Sequence, residues 1–339
     1  MATRTPIAVT PMAFVAAIVE GYRRRQQDPS AALASAQIPP NLVTQPNARI
    51  TAAQMERISD HAMRELDDEA LGWFERRLPW GSYGMLVRAS LSAPTLEVAL
   101  KRWCRHHGLL TDDISLQIHT TGEYAEITLE ERRDLQAVRE FCQISVLRNL
   151  IGVASWLIDS RIPLQTAQFT WAPPPHAETY RILFPAPTFF NAPVTRLRID
   201  ARYLDLPLRR DENALNQMLH HALPLMVESY RRDRLLLDRT RHLLQTQPQL
   251  ALNARAVAER LHVSTRTLHR HLQEQGHSLQ KLKDEVRRER ATELLMRTRK
   301  PIKQVAQEAG FLNEKSFIRA FKSWTGQTPT SFRHGRGHV

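Results

Sequence analysis

The spacing of apolar residues along this chain changes period from segment to segment. Apolar residues cluster from Pro11-Met12-Ala13-Phe14 through Ile18-Val19 and give way to Arg23-Arg24-Arg25. This segment is short, lacks a clear cleavage site and runs into charge, so it reads as an amphipathic helix over 12–26 rather than a signal peptide. A short helix is expected over 30–37, stopped by Pro39-Pro40. Thr51 is placed to cap a helix running through Leu66, because its hydroxyl can accept a free backbone N–H. The pattern predicts another helix over 68–77, and one led in by Ser92-Ala93-Pro94-Thr95 with Leu96, Ala99, Leu100 and Trp103 on its apolar face. The period then drops to two. Ile114–Ile118 and Tyr124–Leu129 alternate around Thr121-Gly122, which predicts a hairpin. Beyond it come a long helix over 135–158, a strand from Gln165 to Trp171, a short helix over 177–183 and two short strands between Phe189 and Ile199. Helical spacing returns over 212–245, with Pro224 as a kink or break.

The last third contains one small pattern twice. Val257-Ala258 corresponds to Val305-Ala306, Leu261 to Ala309, Val263 to Phe311, Leu268 to Phe317, Arg270 to Arg319 and Leu272 to Phe321. Each copy is a short striped helix, a tight turn, a capping residue and a second striped helix. That is the sequence of a helix-turn-helix, whose second helix enters the DNA major groove. Ser264 and Asn313 are the expected caps. Gly310 supplies a permissive turn residue, where the first copy has His262. Leu279 to Met296 reads as a linker helix that fixes the spacing of the two units, placing them in successive major-groove faces about 34 Å apart.

Charge is segregated the same way. The chain carries +12 overall; residues 235–339 hold 20 Lys and Arg against 9 Asp and Glu, a net of +11, which leaves 27 against 26 in the first 234. A basic region beside a helix-turn-helix repeat attracts phosphate. With Leu268, Leu272, Phe317 and Phe321 facing a core, Arg266, His269 and Arg270 remain on the open face of the first recognition helix. Glu314, Lys315, Ile318 and Arg319 remain on the second. Arg pairs with guanine, Glu accepts from cytosine, and Ile318 can touch a thymine methyl. Arg319 has a second reading, support of the fold by pairing with an acid. Ser264, Thr267, Lys281, Asn313 and Lys322 are the expected phosphate-facing or capping positions.

The stretch Ile302–Ala306, Ala309-Gly310-Phe311, Ser316–Lys322, Gly326-Gln327-Thr328-Pro329 and Phe332-Arg333 resembles the AraC/XylS family of bacterial transcription regulators. Upstream, Pro46–Ile50, Gly81–Gly84, Ser92–Leu100 and Leu204–Leu208 are similar to the arabinose-binding-type N-terminal domain of a subgroup that includes ornithine-utilisation regulators. Pro185 stands where that pattern commonly has Gly. The resemblance implies an α+β sensor and dimerisation domain over 1–211, a helical linker over 212–237, and an all-α DNA-binding domain over 238–339 with two helix-turn-helix units joined by a linker helix. It also implies double-stranded DNA and RNA polymerase as partners, a homodimer, and a small-molecule effector that it does not identify. The alternative is a constitutive regulator whose N-terminal domain only dimerises.

The residues offer two readings for an effector site. Trp156, Trp171, His176, Tyr180, Arg181 and Phe189 either line a pocket or, for the aromatics, form core. The helix carrying Leu215, Met218, Leu219, Ala222, Leu225 and Met226 either meets another subunit or packs internally. His106-His107, His220-His221 and His269-x-His271 lack a second ligand pair at zinc spacing, so no metal is expected, and no cofactor. Without a Gly-rich phosphate loop or a Gly-x-Ser-x-Gly elbow, no enzyme is expected. Cys104 and Cys142 are the two cysteines, no apolar run approaches a membrane span, and a cytoplasmic protein is expected.

Overall fold

A computed structural model describes residues 8–219, 233, 235–248 and 253–334. The chain divides into two compact units, residues 1–232 and 233–339. The first is α+β and the second all-α among the described residues, as the sequence predicted.

In the first unit, α1 (Met12–Arg24), α2 (Ser30–Ser35), α3 (Ala52–Glu65), α4 (Ser82–Ser90) and α5 (Leu96–Leu110) precede the sheet. A two-residue ladder pairs β1 (Thr10–Pro11) with β2 (Arg49–Ile50). Thr51 caps α3 as expected, accepting from Gln54 N at 3.2 Å, while the Gln54 side chain accepts from Thr51 N at 3.1 Å. β3 (Ile114–Thr121) and β4 (Tyr124–Glu131) form the predicted hairpin. With β5 (Leu164–Gln168), β6 (Thr188–Phe189) and β7 (Thr195–Asp200) they make one sheet in the order β3-β4-β7-β5-β6, antiparallel except for β5–β6. Ala125, Ile127 and Leu129 of β4 are buried. The intervening Glu126 instead bridges Arg196 and Arg198 of β7 at 3.1 and 2.7 Å. The long helix α6 (Arg139–Leu157) is apolar nearly all round and runs through the core.

Two segments depart from the expected pattern. Residues 68–77 are not a helix. The carboxylate of Asp68, fully buried, accepts from the backbone N–H groups of Ala70, Gly72 and Leu78 and from the Arg25 guanidinium. It therefore folds the segment around itself as a turn, with Leu71 and Gly72 at positive φ. The helix falls after it instead, at α4, where the only sequence sign was a family motif. The strand ending expected at Trp171 comes at Gln168.

Over 212–245 the described helices are α8 (Glu212–Leu219), after the short α7 (Tyr180–Leu183), and α9 (Leu236–Thr246). Pro224, Ala222, Leu225 and Met226 lie outside the described residues. α8 packs on α4: Arg88 pairs with Glu212 at 2.6 Å, and Leu219 lies against Gly84. The boundary expected at 237/238 falls inside α9, because Leu236 belongs to the core of the second unit.

Two features fix testable energetics. A Cβ on Gly21 would stand 1.8 Å from the carbonyl oxygen of Leu71, so α1 and the Asp68 turn touch backbone to backbone. Gly21→Ala is expected to lower stability by about 3 kcal/mol, read as a shift in the urea midpoint. His107 is fully buried, neither ring nitrogen has a hydrogen-bond partner among the described residues, and burial pushes its pKa down to about 4. As pH falls from the ordinary histidine value toward 4 the unfolded chain takes up the proton first, and stability drops by about 3 kcal/mol. His107→Phe should flatten that part of the stability–pH curve; an unchanged slope would contradict it.

Candidate nucleic-acid interface and ligand cleft

The second unit is built on α12 (Leu279–Arg297), preceded by α10 (Ala254–Arg260) and α11 (Thr265–Glu274) and followed by α13 (Ile302–Glu308), α14 (Glu314–Thr325) and α15 (Pro329–His334). Leu279, Leu282 and Val286 of α12 join Leu236, Leu244, Val257, Leu261, Leu268 and Leu272 in one core. Ala291, Leu294 and Leu295, further along the same helix, join Val305, Ala306, Phe317 and Phe321 in a second. Each core thus holds one helix-turn-helix, and a helix about 28 Å long spaces them. The ion pair of Arg239 with Asp233 at 2.9 Å, buried on both sides, ties α9 into the first core; Arg241 ties it to Glu285 of α12 at 2.8 Å.

The caps form as the sequence indicated. Ser264 Oγ accepts from Thr267 N at 3.0 Å, and the two hydroxyls lie 2.7 Å apart. Asn313 Oδ1 accepts from Ser316 N at 2.8 Å. Both turns need a left-handed residue. Gly310 takes it at φ 81°, whereas His262 is held there at φ 55°, a conformation costing about 1 kcal/mol in a residue with a Cβ. The turn at Gly310 is braced from α12: Arg287 donates to its carbonyl at 2.9 Å and lies over the Phe311 ring.

Leu268, Leu272, Phe317 and Phe321 are fully buried, which leaves one open face on each recognition helix. Arg266, His269 and Arg270 are exposed together on α11, with Arg270 3.5 Å from Glu274. On α14, Lys315 and Arg319 are exposed and carry no ion pair among the described residues, while Glu314 is half-buried. Ile318 differs from its expected place: it is half-buried and packs on the second core. It lies one residue from Phe317, close enough to the apolar stripe to be drawn against it. Lys281 and Lys322 are exposed, on α12 and at the end of α14.

The six residues expected around an effector divide among different places. Tyr180 donates to Glu140 at 2.6 Å and accepts from Trp171 Nε1 at 3.1 Å, and His176 reaches the same carboxylate at 2.8 Å. This closed network joins α6 to α7. Trp156 is buried near Arg210, Arg181 is exposed on α7, and Phe189 is half-exposed on β6. None of the six lines the large cleft of the first unit, a space of about 1060 Å³ between α3, α4, α6 and α8. Phe141, Ser145, Asn149 and Val153 face it from α6, at i, i+4, i+8 and i+12, so one stripe of a helix that is otherwise core opens onto it. The overall apolarity of α6 hid this stripe in the sequence, and only the Ser and Asn within it mark it. Glu69 lines the cleft with Oε1 accepting from Gly81 N at 2.8 Å and Oε2 from Tyr83 N at 2.7 Å. Burial, which outweighs those hydrogen bonds, together with Asp68 and Asp67 raises its pKa.

The family profile of the arabinose-binding domain of AraC transcription regulators matches residues 27–208, and a helix-turn-helix domain profile matches 257–335. The chain is 27% identical to an ornithine utilization regulator of Pseudomonas aeruginosa over 328 residues, 96% of each chain. It is 35% identical over 77 residues, 23% of this chain and 24% of the other, to the regulator VqsM of the same organism. Among solved structures it aligns with the transcriptional regulator CdpR of P. aeruginosa at 22% identity and TM-score 0.32, over 92% of this chain and 97% of that one.

Ser264→Ala and Asn313→Ala should each cost about 1 kcal/mol, measured by urea denaturation, because each strips a helix N-terminus of its side-chain acceptor.

Proposed function

This chain belongs to the AraC family of transcription regulators, and we propose that it couples a small-molecule effector in its first unit to sequence-specific DNA recognition by its second. It is a DNA-binding transcription regulator with an arabinose-binding-like N-terminal domain. The observation that carries the DNA-recognition part of this reading is the pair of capped recognition helices on one shared helix, each with an open cationic face.

In this reading Arg266, His269, Arg270, Lys315 and Arg319 face base edges, with Glu314 beside them. Ser264, Thr267, Lys281, Asn313 and Lys322 hold the backbone. The cleft between α3, α4, α6 and α8 is the effector site. Similarity to a regulator of ornithine utilization over nearly the whole length supports metabolite control. Effector binding acts by favouring one of two states of the protein, and it requires different affinities for the two. The protein works in the cytoplasm as a homodimer and contacts RNA polymerase, as the family resemblance implies. The relatives found are transcription regulators, which favours a non-enzymatic role.

The test is retention of fragmented genomic DNA by the purified protein at near-physiological salt, followed by sequencing. Peaks sharing a two-part motif support the reading; diffuse retention that is abolished by added salt and unchanged by a metabolite extract contradicts it. In binding-site selection, Arg270→Ala should alter preference at particular bases, whereas Lys281→Ala should weaken all sequences alike. Equal relaxation by both would overturn the assignment.

A further inference from the structure

We propose that the cleft between α3, α4, α6 and α8 takes a small molecule with a protonated amine on an apolar body. This rests on the reading of the cleft as the effector site.

The charges around the cleft carry the inference. Two of its arginines are already committed: Arg64 to Asp60 at 3.0 Å and Arg88 to Glu212 at 2.6 Å. The third, Arg57, is exposed. Two carboxylates in the wall have no cation among the described residues. Glu56 has no ion pair, and Glu69 has only the two backbone N–H groups. Against one uncommitted cation, Arg57, stand these two carboxylates, so the uncommitted charge lining the cleft is net negative. A half-buried carboxylate without a counter-ion is costly, and an ammonium supplies one together with three donors.

The neutral groups agree. Ser59 lines the cleft, is only 4% exposed, and its hydroxyl has no hydrogen-bond partner among the described residues. The side chains of Ser145 and Asn149 and the hydroxyl of Tyr83 have none either. Hydrogen-bonding groups left open at a cavity wall suit a polar ligand, since such groups are ordinarily satisfied. Trp73, Tyr83 and Phe141, with Leu71, Val87 and Val153, line the cleft and suit an apolar body. The same wall already holds one cation against a ring, the Arg64 guanidinium 4.2 Å from the centre of the Trp80 ring. Met218 and Leu219 close the fourth side from α8, from which the chain continues through residues 220–232 to the second unit.

The experiment uses the full chain and size-matched probes: hexylamine, hexanoate and hexanol, then 2-phenylethylamine, phenylacetate and 2-phenylethanol. Binding is read by calorimetry and by the shift in Tm, up to about 10 mM. The amine of each trio should bind best. Glu56→Gln, a change on a half-exposed wall, and Asn149→Leu, which fills the cleft, should each weaken it about tenfold. Glu130→Gln, on an exposed stretch of β4, should not. If the acid or alcohol binds best and Asn149→Leu removes that binding, the amine is overturned while the cleft stands as the effector site. Amine binding that is indifferent to Glu56→Gln and Asn149→Leu lies elsewhere and overturns the proposal. So does the absence of binding by every probe; in that case the DNA-retention assay, run with and without a metabolite extract, still judges effector control by itself.

Discussion

The recognition unit depends on one constraint: α12 is a single helix that belongs to two cores. Its first half packs Leu279, Leu282 and Val286 with the first helix-turn-helix, and its second half packs Ala291, Leu294 and Leu295 with the other. A continuous helix resists bending because its backbone hydrogen bonds close along its whole length. The two recognition helices therefore cannot change spacing without breaking a core. Side chains outside the cores reinforce the arrangement. Arg241 joins α9 to α12, Arg287 braces the turn before the second recognition helix, and Arg333 donates to the Lys300 carbonyl at 2.7 Å. Many of the basic residues of this unit are thus structural, and the net positive charge overstates the cations free to meet phosphate.

A comparable economy organises the first unit around Asp68. One buried carboxylate satisfies three backbone donors and a guanidinium, which makes a tight turn where apolar spacing alone would make a helix. The turn can approach α1 closely because Gly21 and Gly72 meet there without side chains. It also sets the start of α4, since Glu69, the next residue, accepts from the backbone at Gly81 and Tyr83. The same few residues therefore place both a packing contact and one wall of the cleft. The sheet, by contrast, follows simple alternation, with apolar side chains inward and the Glu126–Arg196–Arg198 cluster outward.

What could be read from the sequence follows from the range of the interactions involved. Caps act over three residues, so Thr51, Ser264 and Asn313 were legible as written. The hairpin at Gly122 depends on alternation and a local turn, and it formed in register. The exposed positions on α11 and α14 followed from helical spacing. Ile318 was the exception, because a position at the edge of an apolar stripe is assigned by the neighbour it meets, here the second core. Of the residues expected around a ligand, Trp171, His176 and Tyr180 went instead into a network centred on Glu140, a residue distant in sequence from each of them.

By itself, then, the sequence determined most of the elements, the duplicated helix-turn-helix and its exposed charged positions, since all of these depend on spacing and capping within a few residues. Tertiary structure decided the Asp68 turn, the membership of α9 in the first core of the second unit and the position of the cleft. Each of these depends on groups far apart in the chain. Whether a buried carboxylate finds donors, or a Ser and an Asn on an apolar helix meet a neighbour or open space, is settled only when the other elements have packed around them.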